Sequence, residues 1–428
     1  MRFVRADDPL GMAAVLRRGW RPDPATVARV AAIVADVEAR GDRAILEYSQ
    51  RFDAPEYRLT QLRVPIPMPS VARGSLREEV AEAIERARDR IVDFHRRQRH
   101  EDVAYRCDDG TEYAFRREPL GAVAVYAPGG SAALPSSVLM GALPAKIAGV
   151  RRTIVLTPPQ RDGRVHPAVL FAASLCEVDE LYAVGGAQAI AAAAFGTESI
   201  AAVDKIVGPG NSYVTEAKRQ LFGIVGIDGL AGPSEVLVVA DAAASSELVV
   251  AELLAQAEHD AEARVAVVSD SFELLESCAQ LLQALDVARM PRGATIAAAL
   301  ERGGFFIEAR SKGEIAATIA AFAPEHLSLQ VTEPEFYLSH LRCVGAVFVG
   351  AETPVACGDY LAGTNHVLPT SGSARFASGL SLADFTRSYS IVRNSSERMK
   401  GDAAAIAAFA AFEGLDAHAQ SARLRMKP

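Results

Sequence analysis

The chain has 428 residues, half of them hydrophobic, with 45 basic and 53 acidic side chains. A chain of this length exceeds what one hydrophobic core normally supports, so we expect at least two lobes. The net charge of −8 is spread without a basic tail or stripe, which argues against a nucleic-acid partner.

Targeting signals and cysteine usage indicate the cellular compartment of the protein. Asp7 and Asp8 interrupt the apolar run that a secretory signal requires, and the longest uncharged stretch is alanine-rich and broken by glycines and by Gln188. The five cysteines are odd in number and form no C-x-x-C pair, which favours neither a disulfide framework nor a thiolate zinc site. We therefore expect a soluble cytoplasmic protein that does not enter a membrane.

Residues 1–118 are predicted to form a helical N-terminal region. Ser75 and Glu78 have the spacing of a capping box at a helix start. The apolar side chains that follow recur at helical spacing, and they are Leu76, Val80, Ile84, Ala87 and Ile91. This pattern predicts a helix that buries one face.

From Pro119 the pattern changes to short β-branched runs that alternate with longer helical segments. GAVAVYAP and RTIVLTPP begin this alternation, and it restarts with SEVLVVAD after a glycine-rich loop. Such alternation is typical of βαβ units around parallel sheets. The sequence predicts an α/β fold with two Rossmann-like lobes, residues 119–233 and 234–380, a crevice between them, and a small helical tail over 381–428.

Several polar residues have spacings compatible with a metal site. Gln256 and His259 lie three apart in a helical segment, and Asp359 and His366 bracket a glycine-containing loop. His418 near the C-terminus follows Glu413 by five residues. Glutamine, histidine and aspartate form an O/N ligand set suited to zinc. A merely solvated helix face, however, gives the same stripe around Gln256 and His259.

The segment A-P-E-H-L sets Glu325 beside His326 after a proline. A histidine with a pKa of about 6.5 can accept a hydroxyl proton at neutral pH, and a neighbouring carboxylate can draw a proton from water. The pair is therefore a candidate for acid/base chemistry. A surface Glu-His pair in a turn is the competing interpretation.

Two glycine turns are candidates for a nucleotide site. Y-A-P-G-G-S and V-G-P-G-N-S-Y each place glycines between a strand and a helix, where backbone N–H groups can approach phosphates. Neither matches the G-x-G-x-x-G fingerprint. Such turns also occur in α/β proteins that bind no nucleotide.

Taken together, the motifs resemble those of the histidinol dehydrogenase family. They occur in the family's order along nearly the whole chain. The segments that carry the resemblance are Y-A-P-G-G, V-G-P-G-N-S-Y-V-T-E-A-K, A-G-P-S-E-V, A-Q-A-E-H, A-P-E-H-L, G-D-Y-L-A-G-T-N-H-V-L-P-T and E-G-L-D-A-H-A.

The resemblance implies a role for each matching residue. The implied zinc ligands are Gln256, His259, Asp359 and His418. The implied substrate contacts are these four ligands with Ser234, His326, His366 and Glu413. The implied NAD contacts are Tyr126, Gln188 and Asn211.

The resemblance also implies the reaction and the assembly. Members of the family oxidise L-histidinol to L-histidine through L-histidinal, with one zinc ion per subunit and two NAD in succession. His326 would take the hydroxyl proton, and Glu325 would activate the water that adds to the aldehyde. The family works as a homodimer in which the tail of one subunit helps to complete the site of the other.

Two other functions stay open from the sequence. A relative on the same scaffold oxidises another small alcohol, such as a sulfonated diol, although Glu413 would repel a sulfonate and can pair with a cationic amine. A non-catalytic two-lobed binding protein would offer the same crevice but needs no acid/base pair. Cys357 departs from the expected small apolar residue, and a buried hydrophobic role is favoured over a nucleophilic one.

Overall fold

The computed structural model describes residues 1–16, 19, 21–98, 101–129 and 133–425. It divides into two compact units. The first comprises residues 1–98 and 120–385, and the second comprises residues 99–119 and 386–428. The predicted α/β class with parallel sheets is confirmed.

The strands are numbered along the chain. They are β1 (Arg2–Arg5), β2 (Val103–Arg106), β3 (Glu112–Pro119), β4 (Ala122–Tyr126), β5 (Arg152–Thr157), β6 (Glu180–Ala183), β7 (Lys205–Val207), β8 (Gly226–Ile227), β9 (Glu235–Ala240), β10 (Arg264–Ser269), β11 (Gly304–Glu308), β12 (His326–Gln330), β13 (Ala346–Val349) and β14 (Thr386–Arg393).

The helices are numbered in the same way. They are α1 (Pro9–Val15), α2 (Pro24–Arg40), α3 (Asp42–Phe52), α4 (Pro69–Arg73), α5 (Glu78–Arg96), α6 (Pro135–Ala148), α7 (Pro167–Leu175), α8 (Gly186–Phe195), α9 (Ser212–Leu221), α10 (Ser246–Ala257), α11 (Phe272–Ala284), α12 (Gly293–Gly303), α13 (Lys312–Phe322), α14 (Pro334–His340), α15 (Val355–Tyr360), α16 (Ser396–Phe412) and α17 (Asp416–Leu424).

Both large sheets lie in the first unit, and all their strands are parallel. The first sheet has the strand order β6-β5-β4-β7-β8, and the second has the order β1-β11-β10-β9-β12-β13. If β4 is counted as strand 1 of the first sheet and β9 as strand 1 of the second, both sheets have the strand order 3-2-1-4-5. This is the order found in dinucleotide-binding folds. The chain therefore uses one topology twice, with β1 added at an edge of the second sheet.

The central strand of the second sheet shows why these segments form parallel strands. Every residue of β9 is buried. Val236 and Val238 belong to the core on one face, whereas Leu237 and Val239 belong to the core on the other. Because side chains alternate along a strand, a continuous apolar run is needed to bury both faces.

The N-terminal helices pack onto the first sheet. Val30 and Ile33 of α2 and Ile45 of α3 join the core formed by Ala124, Tyr126 and the alanine-rich helix α8. Helix α5 buries Ile84, Ala87 and Ile91 as its spacing predicts, but it begins at Glu78 with Arg77 as its N-cap. The predicted capping box at Ser75 is therefore wrong.

Four strands lie where the sequence predicts helix. β1 pairs in parallel with β11, and in the second unit β3 pairs in antiparallel fashion with both β2 and β14. Tyr105 and Tyr113 face each other across β2 and β3, with ring centroids 5.3 Å apart. The expectation of wholly helical terminal regions is wrong for these segments, because pairing with distant partners decides their conformation.

Beyond β14 the described chain forms two helices, α16 and α17. Helices α16 and α17 pack together through small side chains that include Ala407, Ala410 and Ala419. No helix within the described ranges is long and apolar enough to cross a membrane.

Candidate active site

Glu325 and His326 lie at the start of β12 and are both buried, with about 5% of each residue exposed. The backbone of Glu235, at the start of neighbouring β9, holds both side chains. Its N–H donates to Glu325 Oε2 at 2.8 Å, and its carbonyl oxygen lies 3.0 Å from His326 Nδ1. The competing interpretation of a surface Glu-His pair is therefore wrong.

This contact fixes the tautomer of His326. A carbonyl oxygen only accepts hydrogen bonds, so Nδ1 must carry the ring proton and donate it. The other ring nitrogen, Nε2, is then free of its proton when the ring is neutral. Burial lowers the pKa of His326 to about 4, so the ring is neutral at physiological pH and can act as a base.

The pKa of Glu325 is shifted in the opposite direction from that of His326. Burial raises its pKa well above the ordinary value, and the charges of Glu235 and Asp359 raise it further, although the hydrogen bond from Glu235 opposes them. Its Oε2 lies 3.7 Å from His326 Nδ1, too far for a hydrogen bond between the two side chains. The two neighbours are thus oriented separately, each through the same backbone unit.

Gln256 and His259 lie where α10 ends. Gln256 is buried, and its Nε2 has no hydrogen-bond partner among the described residues. The helix ends at Ala257, so His259 lies in the following turn, exposed, with its N–H bonded to the Gln256 carbonyl at 3.2 Å. The prediction that one helix face carries both residues is wrong, but the turn keeps them adjacent.

Asp359 lies in the short helix α15, which α10 helps to position. Glu252 of α10 accepts the N–H of Val355 at 3.0 Å. Burial raises the pKa of Asp359, and the charge of nearby His259 opposes this rise. A carboxylate that loses solvent without a fixed cation beside it suits a site that binds a cation.

His366 follows Asp359 through a tight loop. Burial lowers the pKa of His366 to about 4, although a hydrogen bond with the backbone of Asp359 partly opposes this shift. Its Nε2 is buried and has no partner in the part of the chain that is described. The loop requires glycine at Gly363, where φ is +86° and an added Cβ would lie 2.6 Å from the carbonyl oxygen of Arg90.

Cys357 belongs to the same segment but is not activated. The thiol is half-buried against the core that contains Phe348. Burial raises the pKa of Cys357, and the charges of Glu252 and Asp359 raise it further. The thiol stays protonated at neutral pH, which agrees with a packing role rather than a nucleophilic one.

These residues meet at the amino edge of the second sheet. Ser234 directly precedes β9, and its carbonyl accepts the N–H of Arg264 at 3.0 Å. Glu325 and His326 begin β12, while α10 runs back along the sheet and brings Gln256 to the same edge. The charge of His259 acts on His326, His366 and Asp359, which places these four within electrostatic range of one another.

The other two residues predicted to contact the metal or the substrate belong to the second unit. Glu413 is the C-cap of α16, and His418 lies in α17. Both side chains are exposed. Within the described ranges, no group of three or more His, Cys, Asp or Glu side chains converges closely enough to hold a metal ion. Gln256, His259 and Asp359 belong to the first unit, whereas His418 belongs to the second.

The donor set in the first unit nevertheless fits a cation. Nε2 of His366 is a buried nitrogen that lacks a described partner, and the buried side chain of Gln256 carries an amide oxygen that can bind a cation. Asp359 adds a carboxylate whose ionisation a cation would favour. A helix C-terminus also carries partial negative charge, and α10 ends here.

Tyr126, Gln188 and Asn211 line one cavity of about 1220 Å³ at the carboxyl edge of the first sheet. Tyr126 ends β4, Gln188 lies in the first turn of α8, and Asn211 caps α9. The three residues thus come from three of the four strand-to-helix connections that follow β4, β5, β6 and β7. Gly129 of the Y-A-P-G-G motif also lines the cavity, whereas Gly130 lies outside the described residues.

Local hydrogen bonds hold two of these side chains. The Tyr126 hydroxyl accepts the N–H of Gly186 at 3.0 Å, and burial raises the pKa of Tyr126 to about 12. Asn211 Oδ1 accepts the N–H groups of Tyr213 and Val214 at 3.0 and 3.1 Å. These three bonds hold both side chains next to a helix N-terminus, where backbone N–H groups are available to an anion.

The sequence analysis missed the other wall of this cavity, which comes from the N-terminal helices. The residues concerned are Arg29 and Ile33 of α2, Tyr48, Arg51 and Phe52 of α3, and Asp53. Tyr48 and Phe52 stack one helical turn apart, with ring centroids 5.8 Å apart. The i, i+4 spacing of these aromatic residues in the segment GDRAILEYSQRFD is typical of a stabilising pair on one helix face, so the sequence carries no signal for this wall of the cavity.

The chain is similar to known proteins along nearly its whole length. The family model for histidinol dehydrogenase matches residues 17–426. A histidinol dehydrogenase of Gluconobacter oxydans is 44% identical over 93% of this chain and 92% of its own length, and one of Agrobacterium fabrum is 45% identical over 94% and 92%.

A solved structure of this family has a similar fold. The crystal structure of histidinol dehydrogenase from Elizabethkingia anophelis matches with a TM-score of 0.92 at 33% identity, covering 100% of this chain and 98% of that one. The chain therefore belongs to the histidinol dehydrogenase family of oxidoreductases.

Proposed function

We propose that this chain oxidises L-histidinol to L-histidine through L-histidinal, using zinc and two NAD in succession, as the last steps of histidine biosynthesis. The observation that carries the proposal is the buried Glu325–His326 pair, which the backbone of Glu235 orients beside Gln256, His259 and Asp359. Membership of the histidinol dehydrogenase family supports the identity of the substrate.

Gln256, His259 and Asp359, with His418 from the tail, would hold the zinc ion. When bound, zinc supplies a Lewis acid that orients the substrate's nitrogens and its carbinol, and NAD supplies the hydride acceptor. The raised pKa of Asp359 and the burial of the Gln256 amide beside the end of α10 support this ligand set.

His326 acts as the base of the first oxidation. Its Nε2 takes the hydroxyl proton as the carbinol C–H bond breaks and the aldehyde carbonyl forms. The hydrogen bond to Glu235 keeps Nδ1 protonated throughout, so the ring presents the same nitrogen in every turnover.

Glu325 acts as the base of the second oxidation. As a carboxylate it takes a proton from the water that adds to the aldehyde carbon, which yields the hydrate for the second hydride loss. Its burial excludes bulk water, so the aldehyde is retained between the two steps.

The other polar residues position the substrate. Ser234, His366 and Glu413 contact it together with His326 and the metal ligands, and Glu413 pairs with the cationic amine. Tyr126, Gln188 and Asn211 bind NAD in the cavity at the carboxyl edge of the first sheet. Residues 119–233 thus serve the cofactor and residues 234–380 the chemistry, in two Rossmann-like lobes with a crevice between them.

The active form is a cytoplasmic homodimer in which residues 381–428 complete the site of the partner subunit. Exposed apolar side chains in the tail support an interface there, because contiguous exposed apolar surface commonly marks a contact between proteins. These side chains are Ile406, Phe409, Phe412 and Leu415.

Counting reduced cofactor tests the reaction. With histidinol limiting, we expect two NADH per histidinol, no turnover after chelation, and recovery on adding zinc. One NADH per substrate, or a preference for a sulfonated diol, would contradict the proposal.

A matched pair of variants tests the metal site by metal content rather than by activity. His259→Asn is expected to lose most bound zinc. His340→Asn replaces an exposed histidine at the end of α14 and should keep the wild-type zinc content. Equal zinc content in the two variants would remove His259 from the ligand set.

A further inference from the structure

Asp53 stands out among the groups that the proposed mechanism does not use. It follows α3 directly and lines the cavity at the carboxyl edge of the first sheet. Its Oδ2 is buried, and no described residue offers it a hydrogen bond. A buried carboxylate oxygen that lacks a protein partner costs free energy unless a ligand satisfies it.

Nearby side chains do not neutralise this carboxylate. Arg29, Arg51 and Arg161 also line the cavity, yet none of the ion pairs found among the described residues joins one of them to Asp53. Burial raises the pKa of Asp53 to about 6, and no neighbouring cation lowers it. The group is therefore mostly ionised at neutral pH and available to a hydrogen-bond donor.

The position of Asp53 relative to Tyr126 indicates what kind of ligand it meets. Burial is the main cause of the raised pKa of Tyr126 and of Tyr57, and the negative charge of Asp53 raises both further. Tyr57 already donates its hydroxyl to the Ala183 carbonyl at 2.5 Å, and the Tyr126 hydroxyl accepts from Gly186. Asp53 thus lies beside a predicted NAD contact, with its own oxygen unused.

We propose that Asp53 binds the adenosine ribose of NAD by accepting a hydrogen bond from its 2′-hydroxyl, and that it thereby selects NAD over NADP. The inference rests on the proposed function, in which this cavity holds NAD. A 2′-hydroxyl donates to a carboxylate, whereas the 2′-phosphate of NADP is an anion that a buried carboxylate repels. The cavity arginines would serve the pyrophosphate, which NAD and NADP share.

The test measures cofactor binding to the zinc-loaded, full-length enzyme by calorimetry, with NAD, NADP and 2′-deoxy-NAD as ligands. We expect Asp53→Asn to weaken NAD about tenfold or more without weakening NADP, because hydrogen bonds to charged groups are worth more than neutral ones. Wild-type protein should bind 2′-deoxy-NAD about tenfold more weakly than NAD, and Asp53→Asn should not distinguish the two.

The control is Asp162→Asn. Asp162 is exposed and lines the same cavity, and its Oδ1 already accepts the N–H of Arg164 at 3.0 Å. This variant should keep the wild-type preference for NAD.

The outcomes are distinguishable. Wild-type protein that binds no NAD would contradict the proposed function itself. Wild-type protein that binds NAD but does not distinguish 2′-deoxy-NAD would overturn the role of Asp53, and this comparison needs no variant to fold. A loss of affinity in Asp53→Asn that is equal for NAD and NADP would also overturn it.

Discussion

The two parallel sheets share one strand order, yet their candidate sites lie at opposite edges. In the first sheet, Tyr126, Gln188 and Asn211 follow the carboxyl ends of strands, where α8 and α9 begin. In the second sheet, Ser234, Glu325 and His326 lie at the amino ends of strands, where α10 terminates. Two sheets of the same topology therefore place their candidate sites at helix ends of opposite partial charge.

The difference follows from the ends of helices. Helix N-termini present free N–H groups and partial positive charge, which suits the phosphates of a dinucleotide. The C-terminus of α10 presents carbonyl groups and partial negative charge, which suits a metal ion and a cationic amine. A shared fold thus does not decide where chemistry takes place, and the site residues must be located individually.

We expect the largest effect from Glu325→Gln, at the amino edge of the second sheet. The amide still accepts the N–H of Glu235 but cannot take a proton, so oxidation of histidinal should fall about 100- to 10,000-fold. Oxidation of histidinol to histidinal should stay within about tenfold of wild type. The measurement is NADH per histidinol, which should fall from two to one, with unchanged NAD binding at the carboxyl edge as the control. Rapid histidinal oxidation by this variant would place water activation elsewhere.

The pH dependence sharpens the division within the amino edge. His326, with a pKa of about 4, stays neutral as the pH falls, whereas Glu325, with its raised pKa, takes up a proton at higher pH and ceases to be a base. Below the pKa of Glu325, histidinal oxidation should fall about tenfold per pH unit. Rates with histidinol and with histidinal, measured separately from pH 5 to 9, should lose activity at different pH values. A shared midpoint would contradict the separate roles.

Gly363→Ala tests the loop that carries His366. Both Gly363 and Gly350 have φ near +85°, but an added Cβ meets the Arg90 carbonyl only at Gly363 and open space at Gly350. We expect Gly363→Ala to lower the free energy of unfolding by about 2–4 kcal/mol and the matched Gly350→Ala by about 1 kcal/mol. Urea denaturation measures both, and similar losses would show that backbone strain alone matters.

The smallest expected effect lies at the carboxyl edge of the first sheet. Asn211→Ala removes the N-cap of α9 and Ser311→Ala removes that of α13, each at a cost of about 1 kcal/mol. Thermal unfolding measures that cost. Only Asn211→Ala should also raise KM for NAD, by about three- to tenfold, because of these two caps only Asn211 lines the cavity that we propose for NAD. An equal KM in both variants would make Asn211 a structural cap alone.

The sequence analysis was most informative where the signal is local. Continuous apolar runs such as that of β9 predict strands buried on both faces, and the ordered motifs from Tyr126 to His418 indicate the family before any contact is known. Adjacent residues such as Glu325 and His326 can be read as a pair. The helical face of α5 is predicted correctly for the same reason, since its period lies within one element.

Only the tertiary structure decided what depends on distant partners. β14 is a strand because it pairs with β3. Arg29 of α2 and Asp53, which follows α3, line the cavity at the carboxyl edge of the first sheet because these two helices pack onto that sheet. The proton on His326 Nδ1 is set by a carbonyl 91 residues earlier in the chain. Spacing along a sequence encodes the period of a single helix or strand, whereas tautomer, burial and the sheet edge that holds a site are set by which elements pack together.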